Sequence, residues 1–486
     1  MKNIIIALSL LYLMSANKVL GQESIRASVH DIIQSAQEGS PDYLLAKIRA
    51  ENAKWRYVAA QAVFKPQLGL SATLPQVNRT ISSVTLPTGQ EFFNNSFMTN
   101  SIGLTLSQVV GATGGSVFAS SRIERLDLFK TDSQDANTKY LSAPISIGFN
   151  QPLLRHNPYK WDKQQADLTF QSSQKKFVED RESIAFAAVN NFFDLYTAKL
   201  SLDEARLNLQ YLDSIATNAK GRFEVGRISE TDLLQIQLSS KNADGNVARL
   251  ALEVQNKTET LRDFLGISNE VEFDLSAPDP ITIYAVDKDI ALEYANKNRS
   301  QTEEFRMRLL DAQKQVDIAQ KDNGPNMRLT GSFGLTNSGN TIDQAYGSLL
   351  DQQGVSLSID VPIADFGRAK AQRQIAKSNL ELTQLQVQQD RISFERTILV
   401  TVEQFELKRD QLQLSEEALE IALKRLDIAK KRYQIGKVTV TDLNIAIQEE
   451  QSARQRYFST LWDLWRTHYT IRNLTLFDFE SGVVIE

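Results

Sequence analysis

The sequence contains no cysteine. That excludes a disulfide framework, thiolate chemistry and lipid attachment through a thiol. Histidine is nearly as scarce: His30, His156 and His468 stand far apart, and no His/Cys ligand spacing exists. Proline is absent from Tyr159 to Leu265 and again from Ile363 to the C-terminus. Glycine is rare in the same stretches. Gly221, Gly226 and Gly245 interrupt the first, and only Gly436 lies between Arg368 and Ser481. Two breaker-poor stretches of roughly a hundred residues predict very long helices. No run of about 18 apolar residues follows position 22, so no membrane-crossing helix is expected.

Catalytic signatures are missing as well. There is no nucleophile elbow and no P-loop, and the many Asp and Glu residues fall mostly on solvated helix faces. The expectation is a non-enzyme with no catalytic residues, no cofactor and no metal site. The net charge is −5, and loss of Lys2 and Lys18 with the N-terminal segment would leave −7. Nucleic acid is therefore not an expected partner, because phosphate binding needs a concentrated basic surface.

What is present begins with Lys2, an apolar run from Ile4 to Met14, then Val19, Leu20 and Gly21. A basic start, a short apolar core and small residues near a cut site predict a secretory signal peptide over 1–21, cleaved before Gln22.

The rest of the chain repeats. Ala219–Gly226 and Thr231-Asp232-Leu233 align with Ala429–Gly436 and Thr441-Asp442-Leu443 at an offset of 210, and Pro152-Leu153 falls on Pro362-Ile363 at the same offset. Upstream, Ala53, Ala60, Pro66 and Leu70 fall on Ala312, Ala319, Pro325 and Leu329 at an offset of 259. The first repeat is thus longer by 259 − 210 = 49 residues, all between Pro66 and Pro152. Each repeat has 74 residues from its proline to its glycine, which at about 1.5 Å per residue is a rod of roughly 110 Å if helical throughout.

Four segments alternate apolar and polar residues: Leu68–Leu74, Leu141–Phe149, Met327–Leu335 and Val355–Ile363. About ten residues is the length of a tilted transmembrane barrel strand. A half-buried soluble sheet would alternate in the same way. The insertion holds a weaker pair, Ser101–Val110 and Ser116–Leu128, which either joins the barrel or stays outside it. In the helices, Leu412, Leu419, Leu426 and Tyr433 recur every seven residues, and so do Leu414, Ile421, Ile428 and Ile435. A single coiled-coil seam needs one apolar stripe. Two stripes suit a helix with neighbours on two sides.

Several features in this order resemble the TolC family of outer-membrane efflux proteins. They are the repeat, Gln151-Pro152-Leu153-Leu154 closing a strand, Val361-Pro362-Ile363-Ala364-Asp365-Phe366-Gly367-Arg368 leading into a long helix, and the two hairpin tips. The resemblance implies a mixed α and β membrane protein in which two repeats each supply transmembrane β-strands and long antiparallel coiled-coil helices. It implies a homotrimer, with four strands per chain closing a twelve-stranded barrel above a periplasmic α-helical barrel. It places the chain in the cell outer membrane, extending into the periplasm. The implied partners are outer-membrane lipid, a periplasmic adaptor (membrane fusion) protein and an inner-membrane pump of RND or ABC type. The implied function is a passive exit duct of a tripartite efflux system. A type I protein secretion duct and a periplasmic coiled-coil scaffold remain alternatives.

The resemblance also assigns sites. Asp232 and Tyr433 match positions that hold the family's periplasmic gate shut, and Asp442 matches an acidic ring at the entrance. The prototype's gate arginine falls on Val438, with Lys437 beside it as a substitute, and its second acidic ring falls on Ile445. Val225, Gly226, Ile435 and Gly436 resemble the adaptor-docking tip. Pro66, Pro152, Pro325 and Pro362 mark strand–helix junctions. Ser229/Asp232 and Thr439/Asp442 also have the spacing of a helix capping box, a structural role compatible with lining a pore.

The expected organisation is a signal peptide over 1–21 and a first repeat over 22–265, with helices 24–64, strand region 66–152 and long helices 157–265. A linker over 266–285 follows. The second repeat covers 286–480, with helices 287–321, strand region 325–362 and long helices 367–475. A tail over 481–486 ends the chain.

Overall fold

The computed structural model describes residues 24–86, 89–130, 135–267, 271–278, 281, 284–435 and 437–486. The expected signal peptide lies outside these residues. The chain forms two compact units. One contains the residues up to Ala50, Gln174–Arg299 and Ser393–Glu486; the other contains Glu51–Ser173 and Ser300–Ile392.

The first repeat runs β1 (Ser24–Ala27), α1 (Val29–Gly39), α2 (Pro41–Ala62), β2 (Gln67–Leu86), β3 (Gly89–Val110), β4 (Gly115–Leu128), β5 (Asn137–Leu153), α3 (Pro158–Glu224) and α4 (Glu230–Leu265). The segment between repeats carries β6 (Glu272–Leu275). The second runs α5 (Lys288–Asn298), α6 (Ser300–Lys321), β7 (Asn326–Gly339), α7 (Ile342–Gly347), β8 (Leu350–Asp360), α8 (Arg368–Gln434) and α9 (Val440–Thr475), before β9 (Phe477–Asp478) and β10 (Val483–Val484).

The two repeat offsets hold residue for residue. Helices α3 and α8 have 67 residues each, and α4 and α9 have 36 each. Helices α2 and α6 have 22 each, and α1 and α5 have 11 each. No described helix is long and apolar enough to cross a membrane.

In the unit built on the strands, one sheet has the order β2-β3-β4-β5-β7-β8. Every neighbour is antiparallel. The repeat predicts β2, β5, β7 and β8; the insertion supplies β3 and β4, giving six strands where the resemblance implies four. Strands β2 and β3 are also twice the expected length, with 20 and 22 residues. Their upper part pairs beyond the first β4 partner, Phe97, where the β-branched Thr80 and Ile81 favour extended chain.

Pro66 and Pro325 each stand one residue before a strand, where a missing N–H costs no ladder bond. Pro362 stands two residues after β8. Pro152 lies inside the end of β5, opposite Arg328. Below the sheet, Tyr57 stacks on Phe170 with ring centroids 4.5 Å apart, and Gln61 donates to Asp167 at 3.2 Å.

The other unit holds the main core: Ile184, Val189, Phe192, Phe193, Leu261, Ile398, Leu461 and Trp465, among others. Each large apolar side chain buried there stabilises the unit by about 1.5–3 kcal/mol. The chain start and the inter-repeat segment join this core rather than acting as loose connectors. Strand β1 pairs in parallel with β6, and Phe273 is buried. The C-terminal residues fold back too, with β10 paired to β9. Arg472 clamps them, its guanidinium 3.1 Å from buried Glu182 and 2.6 Å from Asp478.

Candidate functional site: the helical hairpin tips

Helix α3 stops where Gly226 adopts φ +68°, a conformation that favours glycine. Gly226 N–H donates to Phe223 O and Arg227 N–H to Arg222 O, both at 2.8 Å, so the last carbonyls are satisfied. The second tip repeats the longer bond: Lys437 N–H donates to Arg432 O at 2.9 Å. Gly436 lies outside the described residues. Val225 and Ile435 are exposed, at 68% and 66%, as apolar tips on the two turns.

Both return helices start with a full capping box. Asp232 accepts from the Ser229 hydroxyl at 2.7 Å, and its N–H donates to Ser229 Oγ at 3.1 Å. Asp442 does the same with Thr439, at 2.7 and 3.1 Å. The hydrogen bonds from the Thr439 hydroxyl and backbone hold the Asp442 carboxyl below its ordinary pKa. Both aspartates are exposed, so each caps its helix and faces solvent at once.

Between the tips a small core forms from Ile215, Ala219, Ile236, Leu426, Leu443, Ala446 and Ile447, with Tyr433 half-buried against it. Burial pushes the Tyr433 phenol above its ordinary pKa; the Asp232 carboxylate adds to this, and Arg222 opposes it. Tyr433 and Asp232 line one groove of about 730 Å³, together with Tyr211, Asn218, Arg222 and Val438. Among the described residues no hydrogen bond joins Tyr433 to Asp232. Lys437 is exposed, and Ile445 is exposed on a separate groove with Glu449 and Arg456. Sequence reasoning missed Arg222 and Tyr211. The Lys430 ammonium lies 5.2 Å from the Tyr211 ring centroid.

The two heptad stripes separate cleanly. Leu426 is buried within the chain, whereas Leu414, Ile421, Ile428 and Ile435 are all more than half exposed. The second stripe is thus left largely open by its own chain.

Residues 291–473 match the family described as outer membrane efflux protein. No curated protein matches the sequence. The fold is similar to that of the Campylobacter jejuni CmeC outer membrane channel, with TM-score 0.68, 16% identity and coverage of 94% of this chain and 86% of that one. It is similar to the outer membrane protein VceC of Vibrio cholerae, with TM-score 0.63, 16% identity and coverage of 94% and 97%. It is also similar to the open state of the Neisseria gonorrhoeae MtrE outer membrane channel, with TM-score 0.61, 14% identity and coverage of 94% and 89%. CmeC and MtrE are outer membrane channels. The matched segment is thus that of an outer membrane efflux protein, and the fold of the chain is that of outer membrane channels.

Proposed function

We propose that the protein is the passive exit duct of a tripartite efflux system, a homotrimer opened by a periplasmic adaptor and driven by an inner-membrane pump of RND or ABC type. The observation that carries this reading is the exposed apolar stripe Leu414, Ile421, Ile428, Ile435 beside a stripe that is buried at Leu426 and half-buried at Leu412, Leu419 and Tyr433. Helices with two apolar flanks form a closed wall, and small residues such as Ala422 and Ala429 let the backbones approach. The sheet supports the same reading, since strands β2 and β8 are open edges that lipid does not tolerate unless a neighbouring copy pairs with them. An open state in the similar MtrE channel supports gating.

The gate in this reading is the tip set of Asp232, Tyr433 and Asp442, with Lys437 beside them and Ile445 forming an apolar part of the constriction. Val225, Gly226, Ile435 and Gly436 are the adaptor surface. The adaptor opens the duct by binding the open tip arrangement better than the closed one. The test is gel filtration in detergent followed by single-channel recording in a planar bilayer. A trimer with a stable, low-conductance pore supports the duct. A water-soluble monomer that inserts nothing would replace it with the scaffold.

A further inference from the structure

The insertion within the first repeat does not sit apart from the sheet. Its strands β3 and β4 lie between β2 and β5. Paired residues of an antiparallel sheet share a face. One row crosses all six strands as Leu68, Leu106, Ala119, Ile147, Phe333 and Gln353. The next row, on the opposite face, is Gly69, Thr105, Ser120, Ser146, Gly334 and Gln352. The inserted strands therefore continue both faces in register. Ile102 and Leu104 extend the apolar face, while Arg122 and Glu124 pair with Gly103 and Ser101 on the polar one.

The apolar stretch of β3 is bounded by Asn100 and Gln108. That interval is about 26 Å of strand, the scale of the roughly 25 Å apolar band of outer-membrane barrels. At its lower end the Asn157 side chain donates to Gly111 O at 2.8 Å, so the β3–β4 turn is tied to the residue just before α3.

We propose that the insertion is membrane wall: each chain contributes six strands, and three chains close an eighteen-stranded barrel. This rests on the duct reading and departs from the twelve strands the family resemblance implies. Strand β2 runs away from its junction and β8 runs back toward its own, so β8 of one copy meets β2 of the next antiparallel and the up-and-down order is kept. Barrel diameter grows roughly linearly with strand number. The mouth is thus about one and a half times as wide as a twelve-stranded one, with Arg122 and Glu124 in its lining.

The test uses the absence of native cysteine. Single variants Leu104→Cys on β3, Ala119→Cys on β4, Ile147→Cys on β5 and Thr105→Cys are labelled with a small fluorophore in the intact protein. They are then reconstituted in vesicles containing brominated lipid. The labels at 104, 119 and 147 should lose the same fraction of fluorescence to the lipid, and the label at 105 should respond to iodide instead. Native mass spectrometry should count three copies. Quenching at 147 without quenching at 104 and 119 would put the insertion outside the wall and leave the duct standing. No lipid quenching at 147 either would overturn both readings. A copy number other than three would overturn the eighteen-strand count.

Discussion

The Tyr284 hydroxyl lies 2.7 Å from Nδ1 of His468 inside the main core, joining the inter-repeat segment to α9. Burial depresses the His468 pKa to about 4, and nearby Arg472 adds to the effect. The ring is therefore neutral near pH 7, and Tyr284 donates. Burial also raises the Tyr284 phenol, which keeps it a donor.

A pH dependence follows. The unfolded histidine protonates below about 6.5 and the folded one only near 4, so the unfolded state binds more protons in between. The contribution is fully present above pH 6.5 and is lost as pH falls toward 4. Its size is about 3 kcal/mol. Denaturant unfolding in detergent across this window should show the loss, and His468→Gln should flatten it. An equal pH slope in the variant would remove His468 as the cause.

The capping role of the tip aspartates and the gating role proposed for them separate by mutation. Thr439→Ala removes the cap and leaves the charge, costing about 1 kcal/mol at the start of α9. Asp442→Ala removes both. Single-channel recording should show a larger closed-state leak in Asp442→Ala than in Thr439→Ala, and a raised leak in Tyr433→Phe. Unchanged conductance in both Asp442→Ala and Tyr433→Phe would sink the gate assignment. Because Asp442 is held below its ordinary pKa, its cap is intact above about pH 4 and fails as the pH falls through the folded value.

Gly148 is a packing glycine. A Cβ there would stand 2.5 Å from the Phe118 ring and 2.6 Å from Gly331 O. The ring can move but the backbone oxygen cannot, so Gly148→Ala should cost about 1–3 kcal/mol. The fraction running as folded, heat-modifiable protein on a gel should fall. Gly69→Ala is the control, since its Cβ meets nothing within 4 Å.

Arg472 holds two carboxylates, one of them the buried Glu182. Arg472→Met leaves Glu182 buried without this partner and should cost about 3–5 kcal/mol. Limited proteolysis should then release the residues from Phe477 onward faster than in the parent.

Much of this architecture was legible in residue order. The proline and glycine gaps located α3, α4, α8 and α9, because a helix of that length tolerates few breakers. The two offsets relate the paired helices of the repeats, and Ser229 and Thr439 marked helix starts, but residues 24–27, expected as helix, form β1 because they pair with β6. The linker was less legible. Phe273 and Tyr284 sit among too few neighbours in sequence to show a period, so their burial is invisible until β1 and α9 close over them. Strands β3 and β4 were legible as strands but not as members of the sheet.

By itself, the sequence determined the repeat, the breaker-free helices, the caps and the two faces of the four alternating strands, because breakers, cap spacings and alternation are written in residue order. Only the tertiary structure decided that β3 and β4 lie inside the sheet, which heptad stripe is buried, and that His468 loses its charge. Those depend on partners tens to hundreds of residues away, and burial is a property of the partners rather than of the residue.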